Sequence, residues 1–100
     1  MRTLLEVELD TETANRLITD GTLPKVMGGL METLKPEAAY FYARDGRRCA
    51  TFVVDLADEA GIPSLCEPFW LQLSARVKVH PCMNAEELST GLGRLGRASF

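Results

Sequence analysis

Residues 4 to 9 alternate, with Leu5, Val7 and Leu9 on one side and Leu4, Glu6 and Glu8 on the other, which is the two-residue period of a strand with one buried face. Asp10 and Thr11 are good N-caps for a short helix that carries Leu17 and Ile18 and stops at Gly21. Thr22 caps a second helical piece. Pro24 suits its first turn, and Val26, Leu30, Met31 and Leu34 recur at helical spacing until Lys35-Pro36 halts it. The aromatic run 38–44 and the run Arg47 to Leu56 read as two strands joined by Asp45-Gly46, a dipeptide suited to a tight hairpin. Ile62, Leu65, Phe69 and Leu73 mark another helix, opened by Pro63 and expected to kink or restart at Pro68. Ala75, Val77 and Val79 then alternate against Arg76, Lys78 and His80 as a last strand. Asn84 with Glu87 three residues on is a capping box, which predicts a short helix from Ala85 to about Gly91.

These elements give an α+β class in the order β-α-β-β-α-β. Right-handed crossovers then place the first and third strands at the centre of a four-stranded sheet ordered 4-1-3-2, a ferredoxin-like sandwich with its helices on one face. Leu5, Val7, Leu9, Phe52, Val54, Leu56, Ala75, Val77 and Val79 are expected to face the helices. The other face carries Glu6, Glu8, Thr51, Val53, Arg76, Lys78 and His80 and has no helix of its own. Residues 1–92 form a single domain on this reading, and the glycine-rich stretch 93–100 a flexible C-terminal tail.

Composition narrows the classes. A 46% apolar content in 100 residues fills one modest core, and a formal charge of −3 offers no basic field for nucleic acid. Acidic residues break up the N-terminal apolar run, so no membrane span or signal-peptide core is read there, and the protein is expected in the cytoplasm. The three cysteines, Cys49, Cys66 and Cys82, are scattered and odd in number, which fits reduced thiols. With His80 the only histidine and no Cys-x-x-Cys pair, neither a metal site nor a cofactor is expected.

The runs Lys35-Pro36-Glu37-Ala38-Ala39-Tyr40-Phe41, Glu67-Pro68-Phe69 and Pro81-Cys82-Met83-Asn84-Ala85-Glu86-Glu87-Leu88 resemble those of an uncharacterised family of short bacterial proteins, over nearly the whole chain. That family is similar to the dimeric α/β-barrel group, in which two ferredoxin-like sheets pack through their open faces and which includes cofactor-independent monooxygenases, isomerases and stress-response proteins. The resemblance implies the fold and a homodimer. It carries over no catalytic residue, because a fold does not transmit an activity.

Candidate chemistry is sparse. Gly91-Leu92-Gly93-Arg94-Leu95-Gly96 has dinucleotide-loop spacing but follows a helix and has only Arg97 to Phe100 after it, so it is read as a tail rather than a phosphate cradle. Glu6 and Glu8 are expected to pair with Arg76 and Lys78 across neighbouring strands rather than to act as catalytic carboxylates. His80 is a candidate general base beside Tyr40, Tyr42 or Cys49 if the sheet face lines a pocket, with a strand-end hydrogen bond as the plainer role. Trp70 and Phe69 are candidates for lining a ligand cavity beneath the second crossover helix, with Arg76 as a candidate polar contact, although aromatics at helical spacing also serve as core.

Two functional classes follow. One is a homodimeric small-molecule-binding or structural module assembled through the open sheet face. The alternative is a small cofactor-independent enzyme, monooxygenase- or isomerase-like, acting on an apolar or aromatic metabolite. A closed pocket near His80, Tyr40 and Trp70 with converging polar groups separates the second from the first.

Overall fold

The alternation that begins at Arg2 becomes β1 (Arg2–Glu8), whose residues are by turns half-buried and buried. A computed structural model describes residues 1–96 of the chain. After β1 come α1 (Thr11–Thr19), α2 (Leu23–Leu34), β2 (Ala38–Arg44), β3 (Arg47–Asp55), a 3₁₀ turn (Glu59–Gly61), α3 (Ile62–Leu73), β4 (Arg76–Pro81) and α4 (Ala85–Arg94). Asp10 starts α1 as its sequence position suggests, accepting hydrogen bonds from Thr13 N at 3.0 Å and Thr13 Oγ1 at 2.9 Å. Asp45 and Gly46 both take positive φ, +53° and +75°. A hairpin turn needs this to match the strand twist, and glycine adopts it without steric cost.

The four strands lie in the order β2-β3-β1-β4, with every neighbouring pair antiparallel. Counted from the other edge this is the expected 4-1-3-2. Leu5 lies between Phe52 and Val79, and Val7 between Ala50 and Val77, so the helix-facing rows are apolar across the sheet. Phe52 and Phe69 are fully buried with ring centroids 5.6 Å apart, joining sheet to α3. Leu30 of α2 and Leu73 of α3 complete the core. Burial of each such side chain is worth about 2 kcal/mol, which is why these two helices lie on this face.

Three local expectations need correction. Thr22 precedes α2 but makes no side-chain cap; its hydroxyl donates to Asp20 Oδ1 at 2.7 Å instead. Pro68 does not restart α3, for one helix runs from Ile62 to Leu73. The ring costs only the bond to the Ser64 carbonyl, and burial of Cys66, Phe69 and Leu73 on either side holds the helix together. Finally, α4 continues through Gly91 and Gly93 to Arg94, past its expected end at about Gly91. Its capping box supplies the strong start that carries it on. Arg97 to Phe100, the rest of the expected tail, lie outside the described residues.

The molecule is longer than its size requires. Its principal extents are 55 × 29 × 18 Å and its radius of gyration is 16.0 Å, against about 13 Å for a compact chain of this length. The accessible surface is 6729 Å², where a compact 11.0 kDa monomer exposes about 5,600 Å². α4 contributes no fully buried residue and packs little against the other elements.

Candidate functional site

Two regions carry the candidate residues, one on each side of the sheet. On the helix side a cavity of about 350 Å³ opens between the sheet and helices α2 and α3. Its floor is Val7, Ala50 and Phe52, and its walls are Leu23 and Met27 of α2 and Phe69 and Leu73 of α3. Phe41 closes one side from the edge strand β2, its ring edge-on to Phe52 with centroids 5.9 Å apart, yet it is 60% exposed. The cavity exists because β2 lies beyond the reach of the two helices, which leaves its helix-facing side chains without a lid. Among the described residues Arg48 is the only charged one in the lining, and its Nη1 donates to Asn15 Oδ1 of α1 at 3.0 Å. The volume falls within the range of small-molecule sites, and the lining is that of an apolar guest.

The sequence candidates divide unevenly between the two regions. Phe69 lines the cavity and is also core, whereas Trp70 sits on the outer side of α3, 41% exposed and outside the lining. Adjacent helical residues point about 100° apart, so one being buried turns the other outward. Tyr42 lines the cavity rim, while its hydroxyl hydrogen-bonds Thr51 Oγ1 at 2.7 Å on the opposite side of the sheet. Sequence reasoning missed Phe41, Leu23, Met27 and Arg48. An aromatic on the helix-facing phase of an edge strand was the available signal for Phe41.

The open face holds the rest. Reading across the strands, one row is Ala38, Val53, Leu4 and His80, the next Tyr40, Thr51, Glu6 and Lys78, and the next Tyr42, Cys49, Glu8 and Arg76. The first row is largely apolar, and Tyr40 in the second is 69% exposed. His80 and Tyr40 stand on opposite edge strands, three strand spacings or about 14 Å apart, so they do not form a common site. No cavity joins His80, Tyr40 and Trp70 among the described residues.

The ionic pattern on this face departs from expectation. Glu6 lies opposite Lys78 and Glu8 opposite Arg76, but neither pair makes an ion pair among the described residues. Instead His80 Nε2 donates to Glu6 Oε2 at 3.0 Å, Arg44 Nη1 reaches Glu6 Oε1 at 3.5 Å, and Arg47 Nη1 lies 3.8 Å from Glu8 Oε2. An imidazole is short and stays on the sheet surface, while lysine keeps its strongly hydrated ammonium in water at the end of a flexible stem. The hydrogen bond from His80, and less strongly Arg44, holds the Glu6 carboxyl below its ordinary value, with desolvation opposing. Arg76 lines a small polar cleft with Glu8, Asp10 and Arg47 rather than the apolar cavity.

No group of three metal-ligating side chains converges among the described residues, and none of the described helices is long and apolar enough to cross a membrane. No protein-family model and no curated protein matches the chain. Among solved structures it is similar to a de novo designed protein, Ferredog-Diesel, at 10% identity over 81% of this chain and 85% of that one, with a TM-score of 0.47.

Proposed function

We propose that the chain is a homodimeric binding module for a small apolar or aromatic molecule, held between the sheet and helices α2 and α3 and assembled through the open sheet face. The observation that carries this reading is the apolar cavity of about 350 Å³ beneath Phe41. An open apolar cleft of that size leaves apolar surface in contact with water, and a bound guest covers it. Its lining brings no histidine or carboxylate to the guest, so the cavity serves binding better than acid–base chemistry. Three free thiols, two of them buried, suit a reducing cytoplasm.

The enzyme reading draws on one observation, the His80–Glu6 hydrogen bond, since a carboxylate that orients an imidazole is how a general base is built. That pair lies on the open face, so its substrate would have to sit between two stacked sheets. The binding module needs no such extra component and is the reading adopted.

Titration with 8-anilinonaphthalene-1-sulfonate, an aromatic probe whose sulfonate suits Arg48, tests the cavity. Saturable one-to-one fluorescence enhancement is expected, weakened at least tenfold by Met27→Trp, whose indole fills the space. Absence of saturation, or equal affinity in the variant, contradicts the reading.

A further inference from the structure

Leu88 and Leu92 of α4, with Leu95 at its C-terminal cap, recur at spacings of four and three and so share one side of the helix. Glu86, Thr90 and Arg94 take the opposite side. A helix divided in this way rests its apolar side on something. Its own chain covers that side only in part: Leu88 and Leu92 are half-buried, no residue of α4 is fully buried, and Leu95 is 70% exposed. A helix of 10 residues is marginal alone in water, and Gly91 and Gly93 weaken it by about 1 kcal/mol each relative to alanine.

Only the first turn is secured. Glu87 N donates to Asn84 Oδ1 at 2.8 Å and Asn84 N to Glu87 Oε1 at 2.9 Å. Arg2 of β1 donates to both Glu37 and Glu87. Beyond that clasp the helix runs on from Leu88 to Arg94, about 10 Å at 1.5 Å per residue.

The clasp also identifies what meets the ridge. Arg2 occupies the same phase of β1 as Leu4, so α4 leaves the body beside the row Ala38, Val53, Leu4 and His80, the most apolar end of the open face. A second copy stacked on that face by a two-fold axis brings its own sheet end alongside the projecting helix, and symmetry repeats the contact in the other direction. The area agrees. The surface exceeds that of a compact monomer by about 1,100 Å², against about 800 Å² buried per partner in a standard interface.

We infer that α4 is an exchanged arm, its Leu88–Leu92–Leu95 ridge packed on the second copy of this chain at the apolar end of the open sheet face. The inference rests on the homodimer reading above. Its test compares the full chain with Leu88→Glu/Leu92→Glu and with the solvent-side control Glu86→Gln/Thr90→Gln, reading the dimer dissociation constant by sedimentation. A second readout is hydrogen exchange of the 85–94 amides at low and high protein concentration. The inference expects at least a tenfold weaker dimer in the leucine variant only, and slower exchange in α4 as the dimer forms. A dimer unchanged by the leucine variant, or α4 exchange independent of concentration, overturns the arm and leaves the homodimer standing. A wild-type chain that stays monomeric overturns both.

Discussion

His80 donates to Glu6 one row off register, the imidazole facing Leu4 and the carboxylate facing Lys78, at an Nε2 to Oε2 distance of 3.0 Å. The bond links the edge strand β4 to the central β1, and Arg44 approaches the same carboxylate from β2. If a second copy covers this face as proposed above, its carboxylates need such partners, because an unpaired buried charge is strongly destabilising.

This arrangement sets a pH dependence. With its carboxyl lowered by His80 first and Arg44 second, Glu6 gives up its proton more readily in the folded chain than in the unfolded one. Its pairing therefore stabilises the fold above the ordinary carboxylate range, and the contribution is lost as pH falls through the lowered value. The Tm difference between wild type and Glu6→Gln is expected to be present above the ordinary carboxylate range and to close as pH falls through the lowered value. A difference that widens on acidification contradicts the pairing.

Thiol reactivity follows from depth. Cys66 is fully buried on α3 and burial pushes its thiol up, whereas Cys82 is only half-buried just after β4. Thiolate is the reacting species. Iodoacetamide with mass-spectrometric readout is expected to modify Cys82 first and Cys66 only on unfolding. Equal rates would mean that α3 opens readily in the native state.

Much of the fold is legible in the residues because local signals and burial agree. Asp45-Gly46 fixes the β2–β3 hairpin, and the Asn84–Glu87 box starts α4. Alternation along β1 assigns its two faces without knowledge of its neighbours. The errors arise where tertiary packing outweighs a local rule. Burial of Phe69 and Leu73 carries α3 past Pro68, and the Thr22 hydroxyl finds Asp20 instead of the helix. Partner choice within a face is not a local property at all. Register places Lys78 opposite Glu6, but side-chain length and hydration award the bond to His80. The cavity was illegible for a related reason: it depends on how far β2 lies from α2 and α3, and no residue type encodes that distance.

The account turns on the open sheet face being covered by a second copy. Sedimentation equilibrium of the full chain beside Val53→Lys, which places an ammonium in the apolar row, measures this most directly. The wild type is expected at twice the 11.0 kDa chain mass at micromolar concentration, and Val53→Lys at the single mass with an unchanged far-ultraviolet spectrum. A wild-type chain that remains single up to about 100 µM, where even a weak dimer of about −5 kcal/mol would begin to appear, contradicts it, as does a Val53→Lys protein that dimerises as tightly as the wild type.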